Sequence, residues 1–165
     1  MKVFIINGMA RSGKDTFCNF VSEMYNDTYH FSIVDLTKDY AKQLGWNGEK
    51  DEKGRKFLCE LKRITDEYDD RNFQRVKDII ERLNIESDNM VYLVDMRETQ
   101  DIERARKELD AKIVFIKNSN VPIINSNYAD AGVFNINYDI EIDNSGTLDD
   151  LKDKAKDFID KYIKG

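Results

Sequence analysis

Residues 5–17 read IINGMARSGKDTF, an apolar run leading into a GxxxxGK spacing. Where such a spacing joins a strand to a helix, Gly8 and Gly13 permit backbone conformations that a Cβ hinders. The loop amides turn inward and the helix N-terminus adds positive potential. The stretch carrying Gly8, Arg11, Ser12, Gly13, Lys14, Asp15 and Thr16 is therefore expected to cradle the phosphates of a nucleotide. Lys14 is placed to reach the terminal phosphates as a point charge, and a nearby hydroxyl to orient Mg2+ or its bound water. The usual pattern puts that hydroxyl directly after the lysine; here Asp15 stands there and Thr16 follows one residue later. A plain Gly/Ser turn with a helix-capping Asp accounts for Asp15, but not for both glycines and the lysine at these spacings.

A cradle of this kind must be held by rigid elements. Short apolar runs separated by helical patterns indicate a parallel sheet covered on both faces. Strands are expected at 3–7, 29–34, 90–95, 112–117 and 138–142, and the connections are too long for hairpins, so right-handed crossovers are the expected links. Helices are expected at 14–26, 36–45, 55–68, 72–86, 99–109 and 147–163. In the last, Leu148, Leu151, Ala155, Phe158, Ile159 and Tyr162 recur at helical spacing and Thr147 is placed to cap the start. His30 falls inside a strand run and reads as a packed histidine. Two excursions are long: charged helices in 36–88, and a polar loop at 118–136 around the single proline, Pro122. Excursions at the carboxyl ends of parallel strands are where such sheets place substrates.

At 165 residues and 41% hydrophobic composition, the chain suits one domain, 1–165, able to bury a real core. Its 26 basic and 32 acidic residues give a net charge of −6, which argues against nucleic acid or an anionic membrane as partner. Cys18 and Cys59 lack the spacing of a zinc motif or a disulfide framework. With no leader-like or membrane-length apolar segment, a cytoplasmic location is expected.

The order Gly-Lys-x-Thr is that of nucleoside monophosphate kinases. More specifically, GMARSGKDT resembles the loop of the phage-type deoxynucleoside monophosphate kinases, in which Arg-Ser-Gly-Lys-Asp-Thr occurs as a unit matched here by Arg11 to Thr16. LTKDYAKQLG (36–45) looks like that family's lysine-bearing helix and GRKFLCEL (54–61) like its Arg-led helix. VYLVDMRETQDIERARKELDAKIVFI carries its Asp-x-Arg after the third strand, and DIEIDNSGTLDDL its Asn-x-Gly-Thr/Ser-Leu turn before the last helix. Matching order spans nearly the whole chain.

The resemblance implies an α/β fold of the P-loop NTPase, nucleoside monophosphate kinase-like type, with about five parallel strands and helices on both faces. It makes 36–88 an acceptor-binding insertion that closes on the acceptor, and 118–136 a short lid. It implies ATP- and Mg2+-dependent phosphoryl transfer to a (deoxy)nucleoside monophosphate, giving the diphosphate and ADP. Lys14 and the loop amides would hold the ATP phosphates, Thr16 and Asp95 the Mg2+, and Arg11 and Arg97 the transferring group. Asn144, Ser145 and Gly146 would form the turn on which the donor adenine rests.

Each role has a plainer alternative. Asp95 either orders Mg2+ or orients the acceptor, or it caps the next helix. Arg97 clamps a phosphate bidentately or forms a surface ion pair. Lys38, Arg55 and Arg63 meet substrate phosphate or belong to solvated helix faces. Asp35 reads a sugar or base edge or caps a helix, and Trp46, Tyr40, Phe57 and Tyr68 are candidates for base stacking or for core. The 118–136 segment has no Arg or Lys, and no arginine follows Arg106. Competing readings are a dephospho-coenzyme A kinase or another small-metabolite kinase and, from a different class, a catalytically weak ATP-binding sensor. The expected partners are thus ATP and a small phosphorylated acceptor, with oligomeric state left open.

Overall fold

The computed structural model describes residues 1–85, 89–121 and 133–165. Its strands are β1 (Lys2–Asn7), β2 (Thr28–Ser32), β3 (Val91–Asp95), β4 (Lys112–Lys117) and β5 (Ile140–Asp143), joined in one sheet in the order β2-β3-β1-β4-β5. The central three carry the unbroken apolar runs VFII, VYLV and IVFI, as strands buried on both faces must. β1 lies parallel to β3 on one side and to β4 on the other; Ile6 is opposite Asp95 and Asn7 opposite Phe115.

The helices are α1 (Lys14–Met24), α2 (Asp35–Gln43), α3 (Glu52–Asp69), α4 (Arg71–Asn84), α5 (Thr99–Glu108) and α6 (Leu148–Phe158). The chain folds into two compact units. One is Met1–Phe31 with Ser87–Gly165, and holds most of the sheet, α1, α5 and α6; the other is Ser32–Glu86, with α2, α3 and α4. In the first, alternation along the strands sends Phe4, Ile6, Leu93, Val114 and Ile116 to one face, where they meet Phe17, Cys18 and Val21 of α1 and Leu151, Ala155 and Phe158 of α6. Phe158 is the centre of this layer, with edge-to-face contacts to Phe4 at 4.9 Å and Phe17 at 5.3 Å. Ile102 and Ala105 of α5 are buried as well, outside that layer. In the second unit, Ala41, Phe73, Val76 and Ile80 are buried, and Asn72 ties helices together by accepting from Thr37 Oγ1 (2.7 Å) and donating to Asp66 Oδ1 (2.7 Å).

The departures from the expected boundaries are local and have causes. β2 stops at Ser32 because the Asp35 carboxylate accepts the Ser32 amide at 2.8 Å and turns the chain into α2. β5 starts two residues late because the Asp139 carboxylate accepts the Ile113 amide at 2.7 Å and pairs with Arg106. α6 passes into one π-helical turn, Ile159–Ile163, which keeps both Ile159 and Ile163 buried beside Phe158. Of the expected 118–136 loop, residues 122–132 lie outside the described part; Val133–Asn135 form a 3-10 turn. Among the described residues no helix is long and apolar enough to cross a membrane.

Candidate active site

The loop between β1 and α1 turns on residues with positive φ. Gly8 (φ 151°), Arg11 (φ 64°) and Gly13 (φ 91°) all have positive φ within six residues. For Arg11, the one residue of the three with a Cβ, the left-handed conformation costs about 1 kcal/mol, and the surrounding hydrogen bonds must hold it there. A Cβ on Gly8 would lie 2.4 Å from the Ile116 carbonyl oxygen, so β4 packs directly against the loop entrance.

Two asparagines fasten this loop. Asn7, fully buried at the end of β1, accepts the Gly8 amide at 2.7 Å and donates to Tyr138 Oη at 3.1 Å. Tyr138, stacked on Phe115, donates in turn to the Val133 carbonyl at 2.6 Å. Burial, with the Glu141 charge adding to it, pushes the Tyr138 phenol well above its ordinary range. Asn144 donates to the Ser12 carbonyl at 2.9 Å from the other side. Neither Asn7 nor Tyr138 stands out in the sequence, because a strand-end Asn and a tyrosine before a short strand carry no motif.

Lys14 is buried at the start of α1, and its ammonium donates to the Gly8 and Met9 carbonyls at 2.9 Å each. The side chain thus folds back across the loop, where its charge belongs if anionic oxygens are to enter. Ser12 Oγ is buried without a hydrogen-bond partner among the described residues, Asp15 is exposed and Thr16 half-buried in the first turn of α1, and Arg11 is exposed at the loop's crest.

Asp95 ends β3 opposite Ile6, next to the strand that feeds the loop. One carboxylate oxygen lies 3.1 Å from His30 Nε2; the other, Oδ1, is buried with no partner among the described residues. His30 is therefore not the packed histidine expected of it. The placement of β2 beside β3 brings its imidazole to the Asp95 carboxylate, and sequence alone cannot show which strand lies alongside. Burial raises the Cys18 thiol well above its ordinary value, with the nearby Asp95 and Asp15 charges raising it further and Lys14 opposing them. Arg97, two residues past β3, is exposed.

Asn144, Ser145 and Gly146 form the turn before α6. Ser145 is bound by the residues just after β4: its Oγ accepts the Ser119 amide at 2.9 Å and its carbonyl accepts from Asn120 Nδ2 at 2.9 Å. Gly146 leaves room for the Asp150 carboxylate, which a Cβ there would approach to 2.5 Å. That carboxylate and the Thr147 hydroxyl make a reciprocal capping box at the start of α6.

In the Ser32–Glu86 unit, Asp35 and Lys38 pair with each other at 2.7 Å, and Asp35 also holds the Ser32 amide. Arg63 bridges Glu60 (3.2 Å) and Glu67 (2.7 Å) on the exposed side of α3. Arg55 is exposed in the first turn of the same helix. Of the aromatic candidates, Trp46 Nε1 donates to the Glu49 carbonyl at 3.0 Å, and Tyr40, Phe57 and Tyr68 all reach solvent.

The parallel sheet with its glycine loop, buried lysine and helix N-terminus has the architecture of a P-loop NTPase fold. Solved structures bear this out. The chain is similar to a shikimate kinase from Aquifex aeolicus vf5, with TM-score 0.57 and 16% identity over 100% of this chain and 99% of that one. It is equally similar to a dephospho-CoA kinase from Campylobacter jejuni, with TM-score 0.57 and 16% identity over 99% and 98%. A gluconokinase from Sinorhizobium meliloti 1021 follows, with TM-score 0.53 and 11% identity over 99% and 94%. No protein-family model matches the chain, and no curated protein sequence does.

Proposed function

We propose that the protein is an ATP- and Mg2+-dependent phosphotransferase whose acceptor is a nucleoside or deoxynucleoside monophosphate. The observation that carries this reading is the loop itself: three positive-φ residues, a buried lysine already turned into the loop, and a carboxylate at the end of the adjacent strand. In phosphoryl transfer the protein mainly positions two anions and neutralises charge, and these are the groups such work requires.

In the proposed mechanism the amides from Gly8 to Thr16 bind the ATP phosphates, and Lys14 exchanges the Gly8 and Met9 carbonyls for phosphate oxygens. The oxygen donors Thr16 and Asp95 suit Mg2+, and the unpartnered Asp95 Oδ1 is the kind of atom a hard cation or its water would satisfy. Bound there, the cation would neutralise developing charge on the phosphates. Arg11 and Arg97 are assigned to the transferring group. Asn144 and Gly146 are assigned to the turn under the adenine, and Asp35, Lys38, Arg55 and Arg63 to the acceptor. Lys38 and Arg63 must leave their carboxylate partners to do this, so Arg55 is the more readily available cation.

A monophosphate acceptor attacks through an oxygen that is already ionised, so its new P–O bond forms as the bond to ADP breaks, with no proton to remove. An alcohol acceptor, as the names of the shikimate kinase and gluconokinase neighbours suggest for those proteins, needs a base. The deciding experiment incubates the purified protein with ATP and Mg2+ and each common monophosphate or small hydroxylated metabolite, following ADP, with Lys14→Ala as control. Lysine-dependent turnover with monophosphates supports the proposal, and turnover only with an alcohol replaces the acceptor class. ATP binding with no transfer favours the sensor reading, which the absence of Arg and Lys from 118–136 keeps in play.

A further inference from the structure

We infer that Cys18, His30 and Asp95 form a binding site for a borderline-soft divalent cation of the Zn2+ type, which shares only Asp95 with the proposed Mg2+ position. The three come from three elements, α1, β2 and the end of β3, and their ligand atoms all lie within 4.8 Å of one another. Tetrahedral zinc with bonds of about 2.0–2.3 Å spaces its donors about 3.3–3.7 Å apart. The His30 Nε2 to Asp95 Oδ2 edge, at 3.1 Å, is already near that spacing. The longest remaining edge must close by only about 1 Å to match it, within reach of a χ1 adjustment at Cys18.

A second observation points to a ligand. Asp95 Oδ1 is buried and without a hydrogen-bond partner among the described residues, although a buried carboxylate oxygen is almost always satisfied. The donor chemistry selects the ion, because Mg2+ takes oxygen ligands whereas one sulfur, one imidazole nitrogen and one carboxylate suit Zn2+ or Co2+. The His30 and Asp95 side chains keep 20% and 21% of their exposure while Cys18 is fully buried, so the ion enters over the first two and the sulfur closes the floor. On binding, the Cys18 S–H gives its proton to solvent as the S–metal bond forms. The fourth position is left to water.

If Asp95 also serves Mg2+, which rests on the reading proposed above, the two ions compete for one carboxylate and micromolar zinc inhibits turnover at fixed Mg2+. The binding itself does not depend on that reading.

The test titrates Co2+ into nucleotide-free protein carrying Cys59→Ser, so that Cys18 is the only thiol. The expected result is a sulfur-to-cobalt charge-transfer band saturating at one equivalent, displaced by Zn2+ but not by Mg2+. The band should vanish in Cys18→Ser, and cobalt affinity should fall at least tenfold in His30→Asn. His30→Asn, at a partly exposed position and checked by circular dichroism, keeps the test decisive if Cys18→Ser fails to fold. Absence of the band, or a band unmoved by folded His30→Asn, overturns the site. A band in a protein that phosphorylates nothing leaves the metal site standing and the kinase reading fallen; turnover without a band does the reverse.

Discussion

The side-chain amide of Asn144 donates to the backbone carbonyl of Ser12 at 2.9 Å, joining the turn before α6 to the crest of the glycine loop between β1 and α1 across 132 residues of sequence. The same amide nitrogen sits 2.2 Å from where a Cβ on Gly13 would be. Gly13 is thus required twice, once for its φ of 91° and once for the space that Asn144 occupies.

That double requirement predicts non-additive mutants. Asn144→Ala should cost about 1 kcal/mol of stability, the net worth of one hydrogen bond. Gly13→Ala should cost about 1–3 kcal/mol from the backbone alone, with the clash on top. In the double variant the clash is gone and only the φ strain remains, so the loss should be smaller than the sum by at least about 0.5 kcal/mol. Urea melts of the four proteins measure this, and strict additivity would refute the shared-space account.

Lys14→Ala should leave the fold intact and lower turnover by roughly 10²–10³, the usual cost of one preorganised charge-stabilising group. The ammonium now rests on the Gly8 and Met9 carbonyls, which water can replace. Unchanged thermal melting combined with lost activity is the expected pair of results; unchanged activity would remove Lys14 from the mechanism.

The capping box predicts an acid limb to stability. The Thr147 amide and hydroxyl hold the Asp150 carboxyl below its ordinary pKa of 3.8. A carboxyl depressed in the folded state stabilises above its unfolded pKa and loses that contribution as pH falls through the folded value. The stability gap between the wild type and Asp150→Asn should therefore be present at pH 7 and shrink as pH drops below about 4. A gap that does not change between those pH values would contradict the assignment.

Tyr138 predicts the alkaline counterpart. Its buried phenol ionises in the folded chain well above its ordinary 10, so the unfolded chain loses the proton first and stability declines as pH rises past that value. Tyr138→Phe should remove part of this decline. At neutral pH it should cost about 1–2 kcal/mol, because Asn7 and the Val133 carbonyl lose a partner. Loosening of the loop entrance should also appear as weaker ATP binding; a variant as stable as the wild type would show that the Asn7–Tyr138 link is incidental.

The order of strands and helices is legible in the chain because both of its signals are local. Unbroken apolar runs mark strands buried on two faces, and three-to-four spacing with Thr147 ahead of it marks α6; β4 and the start of α1 fall where the pattern puts them. The shape of the glycine loop is legible for the same reason, since two glycines and a lysine at fixed offsets lie within seven residues. What tertiary structure alone decided is every relationship between distant segments. Asn144 reaches Ser12 because β5 lies beside β4 and β4 beside β1. His30 reaches Asp95 because β2 is the neighbour of β3, and the packing of α1 on the sheet sets Cys18 beside them. Strand order depends on which crossovers bury the most surface, a sum over the whole core, so no window of sequence contains it. The residues able to do chemistry were written in the chain, and the packing of the sheet chose which of them would meet.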